Sequence, residues 1–566
     1  MRIPDSKVTQ LAALLDETGI LPLIDAELAG RPGPSGLPVR TVLIGLMLAI
    51  HYTGKATLAE AWRLLSFSLT ENAQADLGLD GTSEGDLHAH LACSRRLYRA
   101  FDRLTSVLDP ARTDRRRRLS LAQAAVSTSA WEDDEPEHLR LRRLLQDIAT
   151  RLVLAPVRKA AVRGRLKHFE GDIGIDTTAI ASWARPPRPT RDLASIEITA
   201  GWHHSAGATQ PTFGYSATLA VAARRRPTPL HTATHPQLAL GLVVDTPGKR
   251  IGENAITALT GLTPLGLPAG LLAVDRAYTD QTAQHFAIPA RRLGYRLVLD
   301  YKQDQRGVQG SLHGAPMVDG NLICPAIPTT LAHATTGLDD KAIRTPSDQL
   351  TQQITAREPY YLKNKQGPDP RGAIRLQCPA AGTSPALTCP RFNRLHPKAQ
   401  AAPAPVDLAN PRQRAAHPAA RPTVVLPANE TRRPPTPDQL PRICRQTTIT
   451  IGVEDLGKLR QDLHYLTDSW KGAYKPIRAQ NEGLNGRLKG HHIDLADPKN
   501  RLAHGQAAQT VLVALMVCIG NLHILATWHQ QNTSDHPAGI TDPTVALTMT
   551  MATPGLSPHS RPPPNR

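Results

Sequence analysis

Three carboxylates in this sequence have the type and setting that metal-dependent phosphoryl transfer requires. Asp176 lies within the segment 173–180, Asp275 ends the apolar run 271–275, and Glu482 lies far downstream in a predicted helix. Carboxylate oxygens are hard ligands that suit Mg²⁺ or Mn²⁺. Two such ions about 4 Å apart activate an attacking oxygen and stabilise a leaving one. The three residues are therefore candidate catalytic groups and candidate ligands for two metal ions.

Two basic residues accompany the glutamate. Arg478 lies four positions before Glu482 and Lys489 seven positions after it, so all three share one face of a helix. Pro476 suits the first position of that helix. A carboxylate between two cations fits a site that binds metal and phosphate together. The competing interpretation is a solvated face, on which an Arg–Glu pair contributes about 0.2–0.5 kcal/mol, and the spacing alone favours it.

The elements that must position these groups follow from a change of hydrophobic period after residue 165. Small, β-branched and aromatic residues predict strands, and longer apolar stretches predict helices. The predicted strands are 173–180, 213–222, 238–245, 271–275 and 295–301, with helices at 253–262 and from about 280. The order is three strands, helix, strand, helix, strand. Asp245, which ends the third strand, is expected to be a structural hydrogen-bonding group rather than a metal ligand.

The first 165 residues are predicted to be helical. A helix over 87–108 places Arg96, Arg99 and Arg103 on one face. Phosphate contact and simple solvation are equally good interpretations of that face. The segment 131–137 is acidic and contains a proline, so it is predicted to be an exposed connector, and a helix over 138–154 follows it.

The region 303–446 has weaker patterning, and 379–441 is dense in Pro, Ala and Arg. Such a composition buries little surface and predicts loop or partial disorder. Four cysteines lie in or beside it: Cys324, Cys378, Cys389 and Cys444. Four thiolates could hold a structural Zn²⁺, but their spacings lack the short pairs of ordinary zinc motifs, so reduced free thiols are the favoured alternative.

The composition bears on partners and compartment. Lys and Arg number 66 against 49 Asp and Glu, a formal net charge of +17, which favours polyanionic partners; a generally basic composition is the competing explanation. Six cysteines in 566 residues suit a reducing compartment. The N-terminus lacks the apolar core of a signal peptide, and the longest apolar run, 511–520, predicts a buried helix. A cytoplasmic, nucleoid-associated protein is expected, without a membrane partner.

Several of these segments resemble the DDE transposases of bacterial insertion sequences, in particular the actinobacterial type with a Tyr, Arg, Glu, Lys signature. Arg478, Glu482 and Lys489 match the signature, whereas Tyr474 is one residue too far from the arginine. Asp176-Thr-Thr is similar to the family's first-aspartate strand, and Asp275-Arg-Ala-Tyr to its second-aspartate turn. The resemblance covers about residues 10 to 530.

The resemblance implies a multi-domain architecture: an all-α N-terminal region followed by an α/β RNase H-like catalytic core, which a β- and loop-rich insertion interrupts. The strand order predicted above agrees with it. The implied regions are a helical DNA-end-binding region at 1–165, the first part of the core at 166–302, the insertion at 303–446, the second part of the core with the glutamate helix at 447–531, and a disordered tail at 532–566.

The resemblance also implies a function. The chain would bind the terminal inverted repeats of its element as a homodimer, cleave a phosphodiester with Mg²⁺ or Mn²⁺, and join the exposed 3′ hydroxyl to target DNA. Tyr474, Arg478 and Lys489 would contact phosphates, and Arg96, Arg99 and Arg103 would dock the ends. The alternatives are a catalytically inactive relic that only binds DNA, which does not need the three carboxylates, and a metal-dependent nuclease on the same core.

Overall fold

The structure is a computed structural model that describes most of the chain. Within the described residues, an N-terminal helical block precedes a block built on one mixed sheet, and the last part of that block follows an insertion with two small sheets. The described residues are 2–34, 36–79, 86–111, 117–132, 136–204, 209–225, 233–397, 409, 421–490 and 492–533.

Local capping signals explain several boundaries in the helical block. Gly54, with φ of 72°, ends one helix in the left-handed conformation. The Thr57 side chain begins the next by accepting from the Glu60 N–H at 3.4 Å. The helices are α1 Asp5–Asp16, α2 Leu21–Leu28, α3 Val39–Thr53, α4 Leu58–Phe67, α5 Glu71–Asp76, α6 Leu87–Val107, α7 Leu121–Glu132 and α8 Pro136–Val162.

The central sheet is mixed. Its first strand pairs antiparallel with the third, which also pairs antiparallel with the second and fourth along its other edge. The first, fifth and sixth strands are parallel neighbours. The strands are β1 Ile173–Ala181, β2 Gly201–His203, β3 Thr212–Ala222, β4 Ala239–Asp245, β5 Leu271–Val274 and β6 Arg296–Leu299, with α9 Ile251–Thr260, α10 Arg276–Thr279 and α11 Ala287–Arg292 between them. The three-strand, helix, strand, helix, strand order predicted from the sequence is confirmed, with short β2 as an addition.

Side chains cover both edges of this sheet, where unpaired backbone groups would otherwise remain. On β4, Gln146 donates to the Leu242 carbonyl at 2.8 Å, and the Asn521 amide both accepts from and donates to the backbone of Ala239. On β6, Asp462 exchanges two hydrogen bonds with the backbone of Leu297. Residues far away in the sequence thus hydrogen-bond to the edge strands of the sheet.

The insertion is more regular than its composition suggests. Two three-stranded antiparallel sheets, β7–β8–β9 and β10–β11–β12, share a small apolar core of their own. The strands are β7 Val308–Leu312, β8 Ala315–Val318, β9 Asn321–Leu322, β10 Lys363–Gln366, β11 Ile374–Gln377 and β12 Thr448–Ile451; the helices are α12 Thr329–Ala332, α13 Asp340–Arg344, α14 Asp348–Arg357, α15 Pro390–Leu395, α16 Ala428–Arg432 and α17 Arg442–Gln446. Most of 398–420 lies outside the described residues.

Two long helices complete the chain, α18 Asp468–Gly490 and α19 Gln506–Thr533. Helix α18 crosses β1, β5 and β6, and α19 packs along α8 while also touching α3 and β4. One apolar cluster joins residues of the N-terminal helices, the sheet and α19. The helical region and the sheet therefore share a core.

Three boundaries expected from the sequence were wrong. The connector at 131–137 is helical at both ends, because α7 runs to Glu132 and α8 begins at Pro136. The second part of the core was expected to begin at 447, but the strand found there, β12, pairs with β11 in the insertion's sheet. The helix expected from Pro476 begins at Asp468, so the proline lies within it. The tail beyond residue 533 lies outside the described residues.

Helix α19 contains the apolar run predicted to be a buried helix, and this prediction is confirmed. Residues 506–532 are long and apolar enough to cross a membrane by composition, but 83% of the most apolar window is buried within the protein. The packing against α8, α3 and β4 accounts for its hydrophobicity without a bilayer.

Candidate active site

Asp176 and Asp275 are brought together by the parallel pairing of β1 and β5. Ile175 pairs with Val274, so the two aspartates are the next residues on adjacent strands, which lie about 4.8 Å apart in a sheet. The Asp275 carboxylate also begins α10, since its Oδ1 accepts from the Ala277 N–H at 3.0 Å. The interior of β1 holds Asp176, and the end of β5 with the α10 cap holds Asp275, so both carboxylates lie on rigid backbone.

Helix α18 lies close over these strands because β1 carries a glycine at the crossing. A Cβ at Gly174 would stand 3.1 Å from the Ile477 carbonyl oxygen and 3.2 Å from the Asn481 side chain. Both distances are tighter than ordinary van der Waals contact. The absent side chain thus lets the helix approach the strand two residues before Asp176.

Arg478 links this helix to the strand and to Glu482. Its Nη1 donates to the Ile175 carbonyl at 3.1 Å, and its Nη2 lies 3.4 Å from Asp176 Oδ2 and 3.7 Å from Glu482 Oε1. Because the last two distances share one nitrogen, the two carboxylate oxygens are no further apart than their sum, 7.1 Å. The Glu482 side chain is 65% exposed, whereas that of Asp176 is 16% exposed.

The electrostatics of the site oppose a charge on Asp275. Burial, followed by the negative charge of Asp176, raises the pKa of the Asp275 carboxyl, and Arg478 partly offsets this rise. The group sets three carboxylates, those of Asp176, Asp275 and Glu482, against the single guanidinium of Arg478. It therefore has less positive than negative charge.

The remaining two signature residues lie near this group. Burial lowers the pKa of Lys489, and the carboxylates of Asp176 and Asp494 partly offset this effect. Tyr474 lies one helical turn before Arg478 and stacks on Trp470 with ring centroids 4.6 Å apart. Burial, followed by the charge of Asp300, raises the pKa of the Tyr474 phenol. Because Tyr474 and Arg478 are four positions apart on one helix, they share a face in spite of the extra residue between them.

Sequence reasoning named only the aspartate of the Asp275-Arg-Ala-Tyr turn as a site residue, but its arginine and tyrosine also hold the site. The buried Tyr278 hydroxyl lies 3.3 Å from Thr177 Oγ1 on β1. Arg276 Nε donates to Asp300 at 2.7 Å, and its guanidinium also pairs with Asp340 of the insertion. The turn itself was the available signal, since both residues were part of the recognised motif.

A cleft of 440 Å³ opens beside Asp275. His203 borders it, and its Nδ1 lies 2.8 Å from Ser216 Oγ. Burial and the neighbouring charge of Lys489 lower the pKa of His203. The other lining residues that carry polar or aromatic groups are Thr177, Trp202, His204, Ser216, Thr218, Thr246, Lys249, Asn254 and Tyr278.

Asp245 lies at the end of β4, next to Thr246, which borders the cleft. Arg250 donates to it through Nε at 2.9 Å and Nη2 at 2.6 Å, and Asn254 Nδ2 donates at 3.0 Å. The carboxylate is buried and fully engaged with these partners. The expectation that it is a structural hydrogen-bonding group is confirmed.

The N-terminal arginines divide into two kinds. Arg96 and Arg99 of α6 are exposed. Arg103 is half-buried, and its guanidinium donates to the carbonyls of Pro32 at 2.7 Å and Gly33 at 3.4 Å. Arg103 thus ties a loop to the helix, which leaves Arg96 and Arg99 as the exposed pair.

The donor set of Asp176, Asp275 and Glu482 fits Mg²⁺ or Mn²⁺, because all its oxygens are carboxylate oxygens. The group is not closed, however: in the described part of the chain, no three His, Cys, Asp or Glu side chains are arranged to hold a metal ion. Arg478 lies between Asp176 and Glu482, and the exposed glutamate must move inward to join the aspartates.

Comparison of the chain with protein-family models, with characterised proteins and with solved structures found no match.

Proposed function

We propose that this chain is a DDE transposase whose catalytic core is RNase H-like. One observation carries the proposal: Asp176, Asp275 and the Arg478–Glu482 pair meet at one place, although they are separated by 99 and 207 positions in the sequence. Three antiparallel strands followed by two parallel ones, with helices between the later strands, support the assignment of the core.

The proposed chemistry uses the charges of the site directly. When bound, two divalent ions supply Lewis-acid stabilisation of the scissile phosphate. The carboxylate oxygens of Asp176 and Asp275 would be metal ligands, and strand pairing and the α10 cap hold these two side chains in place. Arg478 and Lys489 bind the phosphates of the strand to be cut, and the buried setting strengthens these interactions. Glu482 completes the set by moving inward from its exposed position.

The decisive experiment measures cleavage and binding on one duplex that carries the inverted repeats flanking the reading frame. Asp176→Asn, Asp275→Asn and Glu482→Gln should each reduce Mg²⁺-dependent cleavage to background, because each removes a ligand charge. Binding of the duplex should stay near the wild-type affinity. Asp319→Asn is the matched control, because it removes a buried carboxylate that pairs with Arg357 in the insertion, and it should retain cleavage wherever it folds.

Two outcomes would redirect the assignment. Binding without cleavage in the wild-type chain would favour an inactive relic that only binds DNA. Cleavage without strand joining would favour a metal-dependent nuclease. Retained cleavage in any of the three site variants would contradict the roles assigned to these carboxylates.

A further inference from the structure

Four cysteines converge in the core of the insertion. Cys324 follows β9, Cys378 follows β11, Cys389 precedes α15 and Cys444 lies within α17. All four line a single cavity of 10 Å³, which is no larger than a water molecule requires. The first three are buried and the fourth is half-buried. Segments spread over 120 positions therefore bring their sulfur atoms to one small site.

Backbone N–H groups follow two of these cysteines closely. The N–H of Ala326 lowers the pKa of Cys324 and that of Ala380 lowers the pKa of Cys378, against the larger effect of burial. A proline follows each cysteine and has no N–H, so the first available donor is two residues on. Such donors favour a thiolate over a thiol.

A buried cation stands beside the cluster. Arg391 is almost fully buried, lines the same cavity, and pairs with Glu430 through an Nε–Oε2 bond of 2.8 Å. Because Glu430 already balances the charge of Arg391, the two side chains form a buried ion pair beside the cavity. The suitability of the cavity for a cation therefore rests on the four cysteines that line it.

Burial disfavours the ionised form of two of the four thiols. Burial raises the pKa of Cys324 and of Cys378 to about 12, and the neighbouring cysteines add to the rise. The neutral thiols do not stand in a ligand arrangement, since no three ligating side chains among the described residues are set to hold an ion. Closure around an ion requires side-chain rotation and the loss of four protons to solvent.

We propose that Cys324, Cys378, Cys389 and Cys444 bind one structural Zn²⁺ as a tetrathiolate. Four S–H bonds give up their protons to water as four Zn–S bonds form, with no change in oxidation state. The ion ties the ends of both small sheets to α15 and α17, and so stabilises a core too small to be secure alone. Zinc binding is independent of DNA cleavage, so it can be tested in a catalytically inactive chain.

The test measures metal content in the full-length chain, purified from zinc-supplemented culture without chelators. The Asp176→Asn/Asp275→Asn double variant provides the background, because it removes the carboxylates that could hold a second ion. We expect one zinc per chain in the wild type and in this variant. A thiol-modifying mercurial should release that zinc, and Co²⁺ in its place should show the absorption of a tetrahedral thiolate complex.

Single variants locate the ion. Cys324→Ser and Cys444→Ser should lose the zinc, whereas Cys93→Ser and Cys518→Ser, in α6 and α19, should keep it. If a cluster variant fails to fold, the wild-type metal content and the cobalt spectrum still decide. A wild-type chain without zinc and with six titratable thiols would overturn the proposal, as would two titratable thiols in denaturant, which would mean that the four cysteines form disulfides.

Discussion

Asp275 is the residue at which folding and function oppose each other most directly. The fold buries its carboxyl next to Asp176, and both effects raise its pKa. A raised pKa in the folded state means that the protonated form suits the fold better than the ionised form. The stability that protonation contributes is present at low pH and is lost as the pH rises through the folded pKa.

Asp275→Asn should therefore stabilise the metal-free protein near neutral pH. The amide imitates the protonated carboxyl and can still cap α10. The rise in Tm, a few degrees at most, should grow as the pH rises from about 4, the ordinary pKa of an Asp carboxyl, through the raised pKa of Asp275. Thermal unfolding in the presence of a chelator measures it.

Asp300→Asn is the matched control, since that carboxylate pairs with Arg276 at 2.7 Å and accepts from the Tyr465 hydroxyl at 2.7 Å. This variant should lower the Tm, because it removes an ion pair instead of a repulsion. An Asp275→Asn protein less stable than the wild type at neutral pH would refute the account of charge repulsion.

At the scale of elements, the crossing of α18 over β1 determines whether Glu482 can reach the aspartates. The helix is held by Arg478 at the strand and by the close contact at Gly174. Pro476 lies inside this helix, where it removes one backbone hydrogen bond. The sequence predicted the helix but placed its start at the proline, because a proline is commonest in the first turn.

Gly174→Val should lower the cleavage rate strongly while the protein still folds. The added side chain meets the Ile477 carbonyl and must displace the helix that carries Arg478 and Glu482. Overpacking costs about 1–3 kcal/mol, and a misplacement of about 1 Å reduces catalysis by about 100-fold. Single-turnover cleavage and chemical denaturation on the same preparations give both quantities.

The same helix supplies the control. Gly472→Ala adds a methyl group with nothing within 4 Å of it, so it should stabilise the helix by about 0.5–1 kcal/mol and leave cleavage unchanged. If Gly174→Val cleaves at the wild-type rate, the close crossing of strand and helix has no catalytic importance.

Over the whole molecule the formal net charge is +17, and two basic surfaces have different positions. Arg96 and Arg99 are exposed on α6, whereas Arg478 and Lys489 lie beside the carboxylates. If the chain is the transposase proposed above, the first surface would dock the DNA ends and the second would align the strand to be cut. The helical region shares its core with the sheet, so the two surfaces belong to one packed body.

Neutralising Arg96 and Arg99 together by alanine should weaken end binding. For every phosphate that is no longer neutralised, the slope of log affinity against log salt should flatten by about 0.9, or about one to two units for the pair. Arg478→Gln should instead lower the cleavage rate more than the affinity, because its interaction with the phosphate matters when the strand is aligned for attack. A salt series on one end-containing duplex measures both effects.

The charge-matched control is Arg40→Ala with Arg63→Ala. Both arginines lie in the same helical region, but they are paired with Asp16 and Glu60. This control should leave the slope nearly unchanged. If the Arg96/Arg99 variant binds with wild-type affinity and slope, α6 presents only a solvated face and the ends dock elsewhere.

The five main strands, the helical character of the first 165 residues, and helices α9, α18 and α19 could be predicted from residue patterns alone, and the same patterns singled out the three carboxylates as candidates. Side-chain period and β-branching act between near neighbours, so the chain order of β1, β3, β4, β5 and β6 could be predicted without tertiary information. The two small sheets of the insertion could not be predicted, since their strands are two to five residues long and give little periodic signal.

Only the tertiary structure decided which of these residues meet. Arg478 contacts Asp176, which lies 302 positions earlier in the sequence. Four cysteines from separate segments line one cavity. Arg103, a candidate phosphate contact, donates to the loop before α3. Helical spacing predicted a basic face for both Arg103 and Arg478. In the fold, Arg103 contacts backbone carbonyls, whereas Arg478 lies against carboxylates. Spacing fixes which side chains share a face, whereas packing fixes what that face touches.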